Sequence, residues 1–271
     1  MEDPNTGRPP AWCVPDGSFR ETLADGGIHI WRAGLDRSPE TVSILLSRLP
    51  ACERERALRF RFPLHRGRFV LARSILRRIL NFYLGTDPGE IHLSVNRYGK
   101  PRLDPKQHRS ELRFNLSHSH GLALYIVSEG REVGIDVEYP DRSRTPEKIA
   151  RRFFSPAEAD IIESLPEKLR RSAFFSCWTR KEAFVKAMGA GLSVPLGDFT
   201  VTVRPEDPPK VLCTAWDDTG PSKWTLMDID PGGGYAAAAA VAGTIGPVRY
   251  FSEDFDFCSL IRRRSRKGAN V

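Results

Sequence analysis

The chain has 271 residues, 40% of them hydrophobic and 28% charged, with a formal net charge of +7. That length supplies one large core or two smaller ones, and no apolar run approaches the roughly 20 residues that a bilayer-spanning helix needs. The positive excess suits an anionic partner, whether nucleic acid, a phosphorylated cofactor or an acidic protein, and does not choose among them.

Residues 1–27 are rich in Pro, Gly and charge and read as an N-terminal arm. They have neither the basic region nor the apolar core of a secretory signal. Five dispersed cysteines, Cys13, Cys52, Cys177, Cys213 and Cys258, form no C-x-x-C pair. Free thiols, a cytoplasmic setting and no zinc site are expected. Gly27 to Trp31 reads as a first strand and Pro39 to Leu49 as a helix. Glu53 to Arg61 is dense in arginine and reads as a solvated helix face, with Glu53 and Glu55 compensating part of the charge. Arg66 to Leu84 is the strongest helix of the first half. Its apolar face runs through Phe69, Leu71, Ile75, Leu76, Ile79 and Leu80, and Gly85 ends it.

Tyr98-Gly99-Lys100-Pro101-Arg102 is a turn that presents Lys100 on a stiff Gly/Pro frame. Leu112 to Ser128 reads as strand, polar turn and second strand. Val133-Gly134-Ile135-Asp136-Val137-Glu138 follows, and these three strands are expected to lie beside one another. On a strand, side chains two apart share a face. Asp136 and Glu138 therefore point one way while Ile135 and Val137 enter a core. Two carboxylates on one face repel unless something positive sits between them. A hard divalent cation meets that need, because Mg²⁺ takes oxygen ligands and often only one or two protein carboxylates. Taken alone, the stretch is more simply the solvated face of an amphipathic strand, since D-x-E spacings are common.

In the second half, Ser155-Pro156-Ala157-Glu158 is an N-cap, a helix-opening proline and a capping box, and a helix to about Leu165 follows. Ala173 to Met188 is the major helix of this half, ended by Gly189. Strands are expected over Val194–Arg204, Lys210–Ala215, Trp224–Ile229 and Tyr235–Val241. Trp178, Glu182 and Lys186 are four apart and line one helix face. Glu182 with Lys186 is either an ordinary helix pair or, respectively, a third oxygen ligand for the cation and a phosphate-holding cation. Trp178 and Phe153 are read as core packing. The two halves echo each other in element order, which suggests two similar α+β subdomains, residues 28–130 and 131–245, the second carrying the metal ligands. Residues 246–271 read as a basic C-terminal tail ending in Arg262-Arg263-Arg264-Ser265-Arg266-Lys267.

Five segments then occur in order: Gly99-Lys100-Pro101, Phe114-Asn115-Leu116-Ser117-His118-Ser119, Gly134-Ile135-Asp136-Val137-Glu138, Arg152-Phe153-Phe154-Ser155, and Trp178-x-x-Lys181-Glu182-Ala183-x-x-Lys186. Together they resemble the Sfp-type 4′-phosphopantetheinyl transferases, from about Glu53 to about Val241. The resemblance implies an α+β pseudo-dimer with the active site between its two subdomains. It implies transfer of the 4′-phosphopantetheine arm of coenzyme A to a serine of an apo acyl or peptidyl carrier protein, with release of 3′,5′-adenosine bisphosphate. Carried over, Asp136, Glu138 and Glu182 ligate Mg²⁺. Arg56, Arg66, Lys100, Pro101, Ser117, His118, Asp136 and Lys186 contact the coenzyme, with Arg68 the alternative to Arg66. Glu182, Lys186 and His118 serve the chemistry. A monomer is expected, without nucleic acid or membrane. Two other readings compete. A metallohydrolase using His118 and His120 lacks further histidines at a plausible spacing. A basic nucleic-acid binder explains the charge but leaves the three carboxylates unexplained.

Overall fold

A computed structural model describes residues 11–15, 23, 26–141, 145–217 and 220–253. Most of the expected arm and the end of the basic tail lie outside the described residues. The first half runs β1 (Ile28–Gly34), α1 (Pro39–Arg48), α2 (Ala51–Leu58), α3 (Pro63–Leu84), β2 (Leu93–Val95), β3 (Pro101–Leu103), β4 (Leu112–Ser119) and β5 (Leu122–Glu129). The second runs β6 (Val133–Glu138), α4 (Pro146–Phe153), α5 (Pro156–Ser164), α6 (Glu167–Met188), β7 (Phe199–Val201), β8 (Val211–Thr214), β9 (Trp224–Ile229) and β10 (Ala236–Ala242). The order is the same in both: a strand, three helices, a short strand pair, then two strands. The sheets repeat it too, with β1-β5-β4 in one and β6-β10-β9 in the other. Each long helix has 22 residues and stops at a left-handed glycine, Gly85 at φ 64° and Gly189 at φ 67°, where an L side chain is disfavoured. The fold is α+β, and the pseudo-repeat is visible in its topology.

Three expectations change. First, β6 does not join β4 and β5. It pairs antiparallel with β10, Asp136 opposite Ala238, and side chains of β4 bond to β6 without a ladder between them. Second, the expected tail begins with a strand, β11 (Val248–Glu253), which pairs parallel with β1, Ile28 opposite Val248. Phe251 stacks on Trp31 with ring centroids 4.6 Å apart, so apolar burial holds this strand in place despite the charge that follows it. Part of the expected arm is also packed: Trp12 lies edge-on to Tyr250. Third, Glu53 is not on a solvated face. It is buried, and its carboxylate accepts from Arg73 and Arg77 of α3, while Arg77 Nη1 also donates to the carbonyl of Ile91 at 2.7 Å.

Two of the expected bounds also shift. α3 starts at Pro63, at its first helical position. The expected strand from Val194 shrinks to β7, because Gly191–Ser193 and Leu196–Asp198 are tight helical turns. The helix α4, with Pro146 in its first turn, was not foreseen.

Apolar side chains form three clusters. One lies under α3, one under α6, and a third lies between the sheets, where Ile28, Ile30, Leu124 and Ile126 meet Ile135, Val137, Met227 and Ala239. Alternation along β6 explains its two faces: Ile135 and Val137 enter the third cluster, and Gly134, Asp136 and Glu138 face away from it. In the second subdomain Lys181, fully buried, pairs with buried Glu158 at 2.8 Å and donates to the carbonyls of Leu196 and Phe199. Glu158 completes the expected capping box with Ser155. Phe153 is exposed, against expectation, and Phe154 takes the core position, stacked on Phe174. Trp178 packs against the same cluster.

Candidate active site

The site begins with a glycine. A Cβ at Gly134 would lie 2.1 Å from the carbonyl oxygen of Ala183 and 2.3 Å from the amide nitrogen of Ala187. Such approaches are impossible for a side chain, so only glycine lets α6 rest directly on β6. Alanines at 238 and 240 of β10, also under α6, are small for the same reason. Ala183 and Ala187 are four apart, and so are their neighbours Glu182 and Lys186. Seating the first pair on Gly134 carries the second pair over the carboxylates of β6.

Lys186 Nζ donates to Asp136 Oδ1 at 2.6 Å and to Ser117 Oγ at 2.9 Å. Ser117 Oγ in turn donates to Asp136 Oδ1 at 2.8 Å. Asp136 is 3% exposed, and its other oxygen, Oδ2, is buried without a hydrogen-bond partner. Alternate residues of β4 repeat this contact along the seam. The Asn115 side-chain oxygen accepts from Ile135 N at 3.0 Å, and Ser119 Oγ donates to Glu138 Oε2 at 3.0 Å and accepts from Tyr139 N at 3.1 Å. Hydroxyl and amide groups from the first subdomain therefore hold the carboxylate strand of the second.

The ammonium of Lys186 is therefore the cation against Asp136. Among the described residues no three His, Cys, Asp or Glu side chains have metal-holding geometry as they stand. The donor set nevertheless suits a hard cation: three carboxylates around one seam, one of them with an orphaned buried oxygen.

The other residues expected at the site fall in several places. His118 lies next to Ser117 at the exposed rim, and its imidazole is held below its ordinary value by loss of water, then by the charges of Lys186, Arg68 and His65. Arg68, unlike Arg66, is among the charges that act on His118. Arg68 is held by Asp36 at 2.9 Å, whereas Arg66 turns to the carbonyl of Phe60. Arg56 lines a recess of about 510 Å³ with Cys52, Glu55, Arg59 and Phe60, none of them a residue of the seam. Lys100 reaches Glu132 and the carbonyl of Ala187 rather than the carboxylates, and Pro101 opens β3 behind it. His120 sits in the β4–β5 turn at φ 51° with its ring against Tyr139, so His118 and His120 do not form a ligand pair. Asn115 and Ser119 were not singled out as site residues. Their signal was a polar residue at every second position of β4, next to a strand carrying D-x-E.

The Glu182 carboxyl is held above its ordinary value. Burial raises its pKa first, Asp136 and Glu138 raise it further, and Lys186 opposes them. A carboxyl raised on folding is stabilising when protonated, so its contribution is intact below the unfolded value of about 4.5 and lost as pH rises through the folded one. Glu182→Gln is therefore expected to melt above wild type at pH 7 in EDTA, with the difference closing towards pH 4. Equal melting curves across that range would show that Glu182 is not electrostatically strained.

Comparisons with known proteins identify the family. A model described as the 4′-phosphopantetheinyl transferase superfamily matches residues 132–240, and one for the N-terminal part of 4′-phosphopantetheinyl transferases matches residues 35–130. The chain is 40% identical over 222 residues to the 4′-phosphopantetheinyl transferase HetI of Nostoc sp. (strain PCC 7120), covering 82% of this chain and 90% of that one. It is 30% identical over 190 residues to the 4′-phosphopantetheinyl transferase Sfp of Bacillus subtilis (strain 168), covering 69% and 80%. With the 4′-phosphopantetheinyl transferase ffp of Bacillus subtilis it shares 29% over 217 residues, 79% and 92% of the two chains. The matched family models and relatives are those of a transferase. The chain belongs to the 4′-phosphopantetheinyl transferase superfamily.

Proposed function

We propose that the chain moves the 4′-phosphopantetheine arm of coenzyme A onto a serine of an apo acyl or peptidyl carrier protein, with Mg²⁺ held by Asp136, Glu138 and Glu182. The observation that carries this reading is the seam itself, where an orphaned buried carboxylate oxygen, a strained Glu182 and Lys186 converge. When bound, Mg²⁺ neutralises charge on the pyrophosphate and on the leaving phosphate.

The serine oxygen forms a bond to the β-phosphorus. The bond from that phosphorus to the bridging oxygen breaks, and 3′,5′-adenosine bisphosphate departs. Phosphoryl transfer asks mainly for position and charge. Lys186, already at the seam, places its ammonium beside the pyrophosphate. Glu182, whose carboxyl burial raises above its ordinary value, takes the serine proton. His118 and Arg68 at the rim meet the 3′-phosphate, and the anion arriving there returns the imidazole towards its protonated form. Since one chain supplies both sides of the seam, the protein acts as a monomer. Among the described residues no helix is long and apolar enough to cross a membrane, and we place the reaction in the cytoplasm.

The test is mass spectrometry of a panel of apo carrier domains after incubation with the protein, coenzyme A and Mg²⁺. One phosphopantetheine is expected on the carrier serine, and none in EDTA. A folded protein that modifies no carrier would overturn the reading.

A further inference from the structure

The turn that presents Lys100 belongs to the first subdomain, yet its polar groups end on the last turn of α6 in the second. Asn96 Nδ2 donates to the carbonyl of Gly189 at 2.7 Å, and Lys100 Nζ donates to the carbonyl of Ala187 at 2.9 Å. The Ala187 carbonyl is among those a helix leaves unpaired at its C-terminus, Gly189 is the residue that caps α6, and an ammonium there also opposes the negative end of the helix dipole. The turn is stiff. Asn96 Oδ1 accepts from the amides of Tyr98 and Lys100, both at 2.9 Å, and Asn96 N donates to the carbonyl of Lys100. Glu132, at the start of the second subdomain, holds Lys100 Nζ from the other side at 2.6 Å. Contact is close: a Cβ at Gly189 would lie 3.1 Å from both Asn96 Nδ2 and Lys100 Cδ.

We propose that the Asn96–Lys100 turn is a C-terminal cap supplied to α6 by the other subdomain, and that Lys100 and Asn96 are positioning residues for Glu182 and Lys186. Both of those residues lie in the last two turns of α6. The helix is seated on Gly134 at Ala183 and Ala187, and Lys100 grips the carbonyl of that same Ala187. The cap fixes the height and rotation of α6 on β6, which is what sets the ammonium of Lys186 at Asp136. Lys100 acts through the helix and not on the coenzyme, in contrast with the role its motif implies. The activity arm of the test rests on the transfer reading above; the exchange arm does not.

The experiment compares Lys100→Met, Lys100→Arg and Asn96→Ala with wild type, by amide hydrogen exchange of the ligand-free protein and by kinetics with coenzyme A and a carrier domain. Lys100→Met and Asn96→Ala are expected to speed exchange over residues 183–189 by roughly tenfold, while α3 is unchanged. Both lower kcat by about tenfold through misplacement of Lys186, and their double variant falls short of the product of the single effects. Lys100→Arg, which keeps a donor and a charge, restores most of both readouts. A Lys100→Met variant with wild-type exchange over 183–189 and a rise confined to the KM for coenzyme A would make Lys100 a phosphate ligand and overturn the cap. If the exchange pattern appears but no carrier is modified by wild type, the cap stands and the transfer reading falls.

Discussion

Asp136→Asn is expected to lower kcat at saturating coenzyme A by about 10³-fold, roughly 4 kcal/mol of transition-state stabilisation. The side chain stays the same size, so the effect is one of charge. The variant loses the anionic oxygen that Ser117 and Lys186 hold and the orphaned Oδ2 that suits a cation. The same change has a second consequence in the ligand-free protein. Three carboxylates without a counter-ion would repel, and removing one would stabilise the fold. Lys186 already supplies that counter-ion, at 2.6 Å from Asp136. Its loss of a partner should instead lower stability in EDTA by about 1–3 kcal/mol. The ammonium is then free to turn to Glu182, and the Glu182 carboxyl titrates lower than in wild type. Thermal melts and an NMR titration of Glu182 check both. Near-wild-type activity would remove Asp136 from the site, and a melting temperature above wild type in EDTA would show that Lys186 does not neutralise it.

Lys181→Met should cost about 3–5 kcal/mol of stability, the usual cost of leaving one member of a buried pair unmatched. Both Lys181 and Glu158 have fully buried side chains. The substitution leaves the carbonyls of Leu196 and Phe199 without their donor. It also leaves a carboxylate that keeps the groups of Ser155 and the amide of Val201 but has lost its cation. At roughly 2–4 °C per kcal/mol for a chain of this size, the melting temperature falls by about 10 °C. Adding Glu158→Gln should recover part of that loss, because it removes the stranded charge. Urea denaturation of the single and double variants measures it. A loss under about 1 kcal/mol, the range of exposed pairs, would mean that the pair does not pin α5, α6 and β7 together. Lys181 thus stands one residue from Glu182 in the same segment and serves a different purpose: it holds the helix, and Glu182 faces the seam.

The sequence by itself determined several elements governed by local period and punctuation. The 3.6-residue pattern from Phe69 to Leu80 made α3, and Gly85 stopped it. Ser155, Pro156 and Glu158 opened α5 with the capping box they encode. Alternation in Val133–Glu138 put Ile135 and Val137 on one face and the two carboxylates on the other, and the echo between the halves reappears as matching strand orders. Tertiary structure decided what local signals do not carry. Whether β6 pairs with β5 or with β10 depends on partners a hundred residues away, and β11 docks on β1 because an open edge and Trp31 await it. A charged residue reads the same in sequence whether it ends in water or in a buried pair, so the burial of Glu53 and Lys181 was hidden. The direction of Lys100 and the different partners of Arg66 and Arg68 were hidden for the same reason. A long side chain's partner is set by the fold around it, since a few rotatable bonds let it reach several positions at little cost. The partner of Asp136 followed that rule: D-x-E spacing leaves a solvated face and a cation site both open, and the packing of α6 on Gly134 brings Lys186 to Asp136.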